Sequence, residues 1–99
     1  MNRRRLVLVA YDVNTETPAG RRRLRLVAQI CCGFGVRVQK SVFECLITEG
    51  QISRMTVLLR NAMDETVDSL RLYRLTDDRR GCVAFGVDCQ LDLEGLLIV

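Results

Sequence analysis

The sequence predicts an α+β sandwich in which a four-stranded antiparallel sheet carries two helices on one face. Three observations predict it. Leu6-Val7-Leu8-Val9-Ala10-Tyr11-Asp12 is an apolar run without polar alternation that ends on a carboxylate, the pattern of a central strand buried on both faces. Two later stretches repeat apolar residues at helical spacing, the first at i, i+3, i+4 and i+7, as in helices with one buried side. Shorter strand-like runs stand between and after them. The order is strand, helix, strand, strand, helix, strand, with an additional strand towards the C-terminal end.

Each element has its own signals. The loop after Asp12 runs over residues 13–17, and Thr17-Pro18 has the form of an N-cap with proline at the first helical position. Leu24, Val27, Ala28 and Cys31 mark the buried side of the first helix, with Arg22, Arg25 and Gln29 on the other. Gly33 and Gly35 are expected to end it. Residues 35–40 alternate with period two and residues 41–47 are more apolar. With no room for a crossover, these two runs are expected to be antiparallel neighbours joined by a tight turn near Gln39 to Ser41. Thr48-Glu49-Gly50 opens a second helix, in which Ile52, Met55, Leu59 and Ala62 recur at helical spacing.

Residues 64–68 form an acidic loop. A fourth strand over residues 69–75 sets Leu70 and Leu72 on one side, Tyr73 and Leu75 on the other. A fifth strand is expected over residues 82–87, and Phe43 and Phe85 are both expected in the core. The order defines a ferredoxin-like fold, one domain over residues 1–99. Helices cover only one side of its sheet, yet the first and third strands are apolar on both. A second copy of the chain is the simplest cover, so a homodimer is expected. Leu96-Leu97-Ile98-Val99 is a terminal apolar patch, and the tail over residues 88–99 is expected to contact a partner.

Charge is distributed unevenly. Residues 1–54 carry ten basic and four acidic groups, whereas residues 55–99 carry five basic and eight acidic ones. Fourteen of the basic residues are arginine and Lys40 is the single lysine. Arginine's planar fork suits phosphate, which makes the N-terminal half a candidate phosphate-binding face. A GC-rich genome would explain the scarcity of lysine equally well, but not the asymmetry. Arg21 and Arg23 flank the start of the first helix, where a phosphate would also meet free N–H groups.

The five cysteines, Cys31, Cys32, Cys45, Cys82 and Cys89, contain no CxxC pair, and the chain has no histidine. That spacing argues against zinc and for reduced, buried thiols in a cytoplasmic protein. The opening Met1-Asn2-Arg3-Arg4-Arg5 is followed by an apolar run too short for a signal or membrane segment, so no membrane partner is expected.

Without histidine there is no Ser-His or Cys-His pair, and Gly33-Phe34-Gly35 lacks the rest of a dinucleotide or phosphate-loop fingerprint. The five aromatics do not form the clustered set of an RNA-recognition sheet. Asp12 remains. It either caps the turn that follows or serves as a magnesium ligand. One carboxylate makes a poor magnesium site, but a two-fold dimer supplies Asp12 twice, and such a metal can activate water against a phosphodiester.

Tyr11-Asp12 at the strand end, the helix start Arg21-Arg22-Arg23-Leu24, and Gly35-Val36-Arg37-Val38-Gln39-Lys40-Ser41-Val42-Phe43-Glu44 resemble one known family. Asp68-Ser69-Leu70-Arg71-Leu72-Tyr73-Arg74-Leu75 is similar to it too. The family is that of the CRISPR-associated proteins that act beside the integrase in spacer acquisition, and the details resemble members from type I systems of subtype C. The resemblance covers nearly the whole chain. It implies a ferredoxin-like homodimer whose paired aspartates hold magnesium, or manganese, and a metal-dependent endonuclease acting on RNA or double-stranded DNA. It implies as well that the dimer bridges the CRISPR integrase and lays duplex DNA along its basic surface.

On the family pattern Asp12 takes the catalytic and metal position with Tyr11 its catalytic neighbour, and Arg21, Arg22, Arg23 and Arg37 match basic positions. Arg25, on the same helix, completes the set expected to bind nucleic acid. Many members carry a second aspartate in the loop after Asp12, where this chain has Glu16. Two other readings stand beside the nuclease: a structural adaptor that holds DNA and integrase without cutting, and an unrelated ferredoxin-like interaction or toxin-like module.

Overall fold

The architecture starts from the first strand. In the computed structural model, which describes residues 3–75, 83, 85, 86 and the backbone of 91–92 and 97–98, strand β1 spans Arg4–Asp12. Helix α1 (Pro18–Cys32), strands β2 (Val36–Gln39) and β3 (Val42–Thr48), helix α2 (Glu49–Ala62) and strand β4 (Ser69–Arg74) follow. They form one four-stranded antiparallel sheet in the order β2-β3-β1-β4. The expected ferredoxin-like fold is thus present, with β1 central. Strands β5 (Leu91–Asp92) and β6 (Leu97–Ile98) pair separately.

Local chemistry sets the element boundaries. The Thr17 hydroxyl accepts from the Gly20 N–H at 3.0 Å and Pro18 opens α1, as the cap sequence predicts. Gly33 caps its other end in the right-handed region. Lys40 and Ser41 make the tight turn, since Gln39 pairs with Val42, and the register slips by one residue at Val38. Thr48 and Gln51 form a reciprocal capping box at the start of α2. A side chain at Gly35 would run into the Glu44 carbonyl and Cys45, so glycine is needed for the chain to leave α1 against β3.

Alternation along the strands divides the sheet into two faces. Val7, Val9 and Tyr11 of β1, with Phe43, Cys45 and Ile47 of β3, meet Val27 and Cys31 of α1 and Ile52, Met55 and Leu59 of α2. Leu70 and Leu72 of β4 pack against this core, as expected. The opposite face presents Leu8 and Ala10, both half-buried, beside Val42, Leu46 and Tyr73, with Glu44 paired to Leu8 and Arg71 to Ala10. Within one chain, β1 is buried on both faces only near Leu6 and Val7.

Phe43 is fully buried, but Phe85 is 88% exposed. It follows β4 instead of standing in one of the four paired strands, and so has no place in the layer that buries Phe43. The additional strand expected over 82–87 lies mostly outside the described residues, and Val83, Phe85 and Gly86 are not in strand conformation. The tail over 88–99 is likewise outside them, apart from the β5 and β6 backbone.

Candidate active site at the end of the first strand

Asp12 is the last residue of β1 and is exposed on the face opposite the helices. Its neighbours Tyr11 and Val13 are 6% and 7% exposed, so the backbone is anchored on both sides of an outward-pointing carboxylate. Pairing of β1 with β3 stops at Ala10, whereas pairing with β4 continues to Asp12, opposite Ser69. The Asp12 side chain makes no hydrogen bond or ion pair with the described residues.

The loop beyond it is ordered by its own side chains. Asn14 Oδ1 accepts from the Glu16 N–H at 3.0 Å, and Asn14 Nδ2 donates to Glu16 Oε2 at 2.9 Å. Arg21 Nη1 donates to the Thr15 carbonyl at 3.2 Å. Glu16 therefore spends its carboxylate within the loop and is turned to Asn14.

Tyr11 and Asp12 are consecutive in a strand, so they lie on opposite faces of the sheet. The Tyr11 ring stacks on Phe43, centroids 6.2 Å apart, and its hydroxyl donates to the Lys40 carbonyl at 3.5 Å. Burial pushes its phenol above the ordinary range, nearby Cys31 adds to this, and Arg37 lowers it only in part. Tyr11 thus supports the backbone from the core side.

The predicted basic residues divide by their surroundings. Arg22 and Arg25 stand exposed on the outer side of α1, with no bonding partner among the described residues. Arg21 is exposed but tied to the loop. Arg37, on the edge strand β2, lies 5.2 Å from the Phe43 ring centroid, a cation–π contact that leaves it exposed. Arg23 differs. Its Nε donates to Asp68 Oδ2 at 2.8 Å and its Nη2 reaches Asp68 Oδ1 at 3.4 Å.

Asp68, expected in an acidic surface loop, has a fully buried side chain. Burial would raise its pKa, but the Arg23 fork and the backbone N–H groups of Asp64 and Asn14 outweigh it and hold the carboxyl below the usual range. The helical spacing carries a signal for the place of Arg23, though none for its partner. Arg23 stands three residues after Gly20 and four before Val27, both buried, which places it on the inner flank of α1 and not on its outer face.

As a metal site this is half of one. No group of three or more Asp, Glu, Cys or His side chains converges among the described residues. Glu16 and Asp68 are committed elsewhere, which leaves Asp12 as an open, hard-oxygen ligand at the sheet's end, opposite Ser69. It fits a magnesium-type ion only if a second carboxylate comes from another chain.

Fold and site together define a small ferredoxin-like protein with an acidic strand end and a basic helix beside it. A family model for CRISPR associated protein Cas2 matches residues 5–82. The chain is 53% identical over 95 residues to the CRISPR-associated endoribonuclease Cas2 of Chlorobaculum tepidum, covering 95% of this chain and 99% of the relative. It is 46% identical over 94 residues to the CRISPR-associated endoribonuclease Cas2 1 of Moorella thermoacetica, covering 94% and 98%. The crystal structure of Streptococcus pyogenes Cas2 at pH 6.5 superposes with a TM-score of 0.73 at 49% identity, over 82% of this chain and 99% of that one. The chain belongs to the CRISPR-associated Cas2 family.

Proposed function

We propose that this protein is a homodimeric, metal-dependent endonuclease of CRISPR adaptation that hydrolyses phosphodiesters in RNA or duplex DNA at paired Asp12 residues. The observation that carries the reading is Asp12 itself: an exposed carboxylate without a bonding partner among the described residues, mounted between buried Tyr11 and Val13. It shares its sheet face with half-buried Leu8 and Ala10, which a second copy would cover.

In that dimer the two Asp12 carboxylates would hold magnesium, or manganese. Such an ion would supply Lewis-acid stabilisation of the phosphate's charge and would help activate water as the nucleophile. The remaining steps belong to the chain. Tyr11 and Val13 keep the carboxylate aimed, and Arg22 and Arg25, with Arg21 and Arg37, attract and orient the phosphate backbone. Similarity to relatives that are named endoribonucleases supports RNA as a substrate. Buried, free Cys31 and Cys45, whose thiols burial pushes up to about 12 and about 11, suit the reducing cytoplasm.

The exposure of Arg22 and Arg25 favours a second reading, in which the dimer carries duplex DNA for the CRISPR integrase and cuts nothing. One experiment separates the two. Wild type and Asp12→Ala are incubated with single-stranded RNA and with duplex DNA, with and without magnesium. Cleavage that needs both the ion and Asp12 supports the nuclease, while binding without cleavage in both proteins leaves the adaptor.

A further inference from the structure

We infer that Asp68 is a positioning residue for Asp12, fastening the strand end through the Asn14 backbone and withdrawing Arg23 from the phosphate-binding set. The inference rests on the reading of Asp12 as the metal ligand. Its own ground is the hydrogen bonding of Asp68, the one buried charged residue among those described. Oδ1 accepts from the Asn14 N–H at 2.9 Å, and Oδ2 accepts from the Asp64 N–H at 2.9 Å and from Arg23 Nε at 2.8 Å. Three separate segments therefore converge on one carboxylate: the loop after β1, helix α1 and the turn before β4.

The position of Asp68 in the chain gives this convergence its meaning. The next residue, Ser69, is the register partner of Asp12. Asn14 lies two residues beyond Asp12, in the loop that leaves β1. Asp68 thus grips both sides of the Asp12–Ser69 pair, one through the covalent chain and one through the Asn14 N–H. The Asn14 carbonyl is held too, by Arg23 Nη2 at 3.5 Å and by the close approach of Gly20.

Stability alone does not call for such an arrangement. A buried ion pair gains little over apolar residues of similar volume, because desolvation offsets most of the attraction. What it adds here is direction. A ligand shared between two chains tolerates only about 0.5 Å of error, and the outer partners of metal ligands set that tolerance. An Arg23 guanidinium bonded to a buried carboxylate has also lost the free charge that phosphate binding uses.

The test uses the full-length protein and compares wild type with Asp68→Asn, Arg23→Gln, Arg22→Gln and Asp12→Asn. Amide exchange at Asn14 and the broadening of resonances near Asp12 by Mn2+ are followed by NMR. Duplex DNA affinity is measured against salt. In folded Asp68→Asn, Asn14 exchange should quicken and Mn2+ broadening should require about tenfold more ion. Arg23→Gln should keep the wild-type salt slope, whereas Arg22→Gln should lower it by about 1. Unchanged Asn14 exchange in Asp68→Asn, or an equal loss of slope in Arg23→Gln and Arg22→Gln, would overturn the inference.

Should Asp68→Asn fail to fold, Arg23→Lys, which keeps the charge and removes the fork, serves for the same readouts. Failure of the metal reading has a separate mark: Mn2+ broadening that does not depend on Asp12. Asn14 exchange and the salt slopes then decide the positioning role by themselves.

Discussion

Gly20 and Asn14 are in contact at the main chain: a Cβ on Gly20 would fall on the Asn14 carbonyl oxygen. The first turn of α1 is thereby seated directly on the loop that leaves Asp12. Gly20 lies inside α1, where alanine would ordinarily stabilise by about 1 kcal/mol through helix propensity. The steric cost of forcing atoms into a filled space is about 1–3 kcal/mol and should win.

Gly20→Ala is therefore expected to destabilise the protein, by up to about 2 kcal/mol net. Urea unfolding would show a lower midpoint at unchanged m-value. A rise in midpoint would mean that the loop yields without cost and that the contact is unimportant.

Acid sensitivity should be traceable to Asp68. Its folded carboxyl lies below the ordinary range, since burial is outweighed by the Arg23 fork and two backbone N–H groups. Stability from this group is fully present above the unfolded value of about 3.9 and is lost as pH falls through the lower folded value. Asp68→Asn should flatten that part of the stability–pH curve. Glu49, lowered first by its Arg74 bond, and Asp64, lowered first by Thr66, should leave a residual slope. Asp68→Ala, which strands the buried groups around it, is expected to cost about 3 kcal/mol at neutral pH. Equal acid midpoints for wild type and Asp68→Asn would contradict this account.

The half-buried apolar face should be where two copies meet. Leu8→Asp sets a second carboxylate beside Glu44 in its centre, pointing away from the core built on Val7 and Val9. Light scattering should report a dimer for wild type and a monomer of native circular dichroism for the variant. A wild-type monomer at micromolar concentration would refute the shared site.

Binding to duplex DNA should be tolerant of sequence and weaken steeply with salt, because arginine–phosphate contacts release counterions. Reversing charge at Arg22 and Arg25 together should lower affinity for every sequence. Fluorescence anisotropy across a salt series measures it, and a flat salt dependence in wild type would remove the basic helix from the interface.

Much of the fold was legible because its signals are local. The unbroken apolar run of β1, the inner positions of both helices, the Thr17-Pro18 cap and the turn before Val42 all depend on neighbours within a few residues. The same holds for Asp12, whose place at a strand end follows from where the apolar run stops. Asp68 was not legible. A carboxylate shortly after Asp64 and Glu65 resembles part of a solvated turn, and an arginine among Arg21, Arg22 and Arg25 resembles part of a phosphate face. Only tertiary contact brings them together. Phe85 failed for the converse reason: its side chain invites burial, but the chain offers it no position in the core layers.

The pairing of β1 with β4 bears on the time at which the site comes into being. Asn14 and Asp68 are 54 residues apart, and the intervening chain holds both helices and two strands. As the protein emerges from the ribosome, β1 can form its ladder with β3 while β4 is still unmade. Contacts so distant along the chain close late, since a long loop must lose its freedom first. A nascent chain that stops short of residue 68 has Asp12 on a half-paired strand, with neither the Ser69 partner nor the Asn14 anchor. Completion of the Asp12 end of the strand thus waits on synthesis of most of the molecule, and a truncated product carries the carboxylate without its cross-strand partner or the Asn14 anchor.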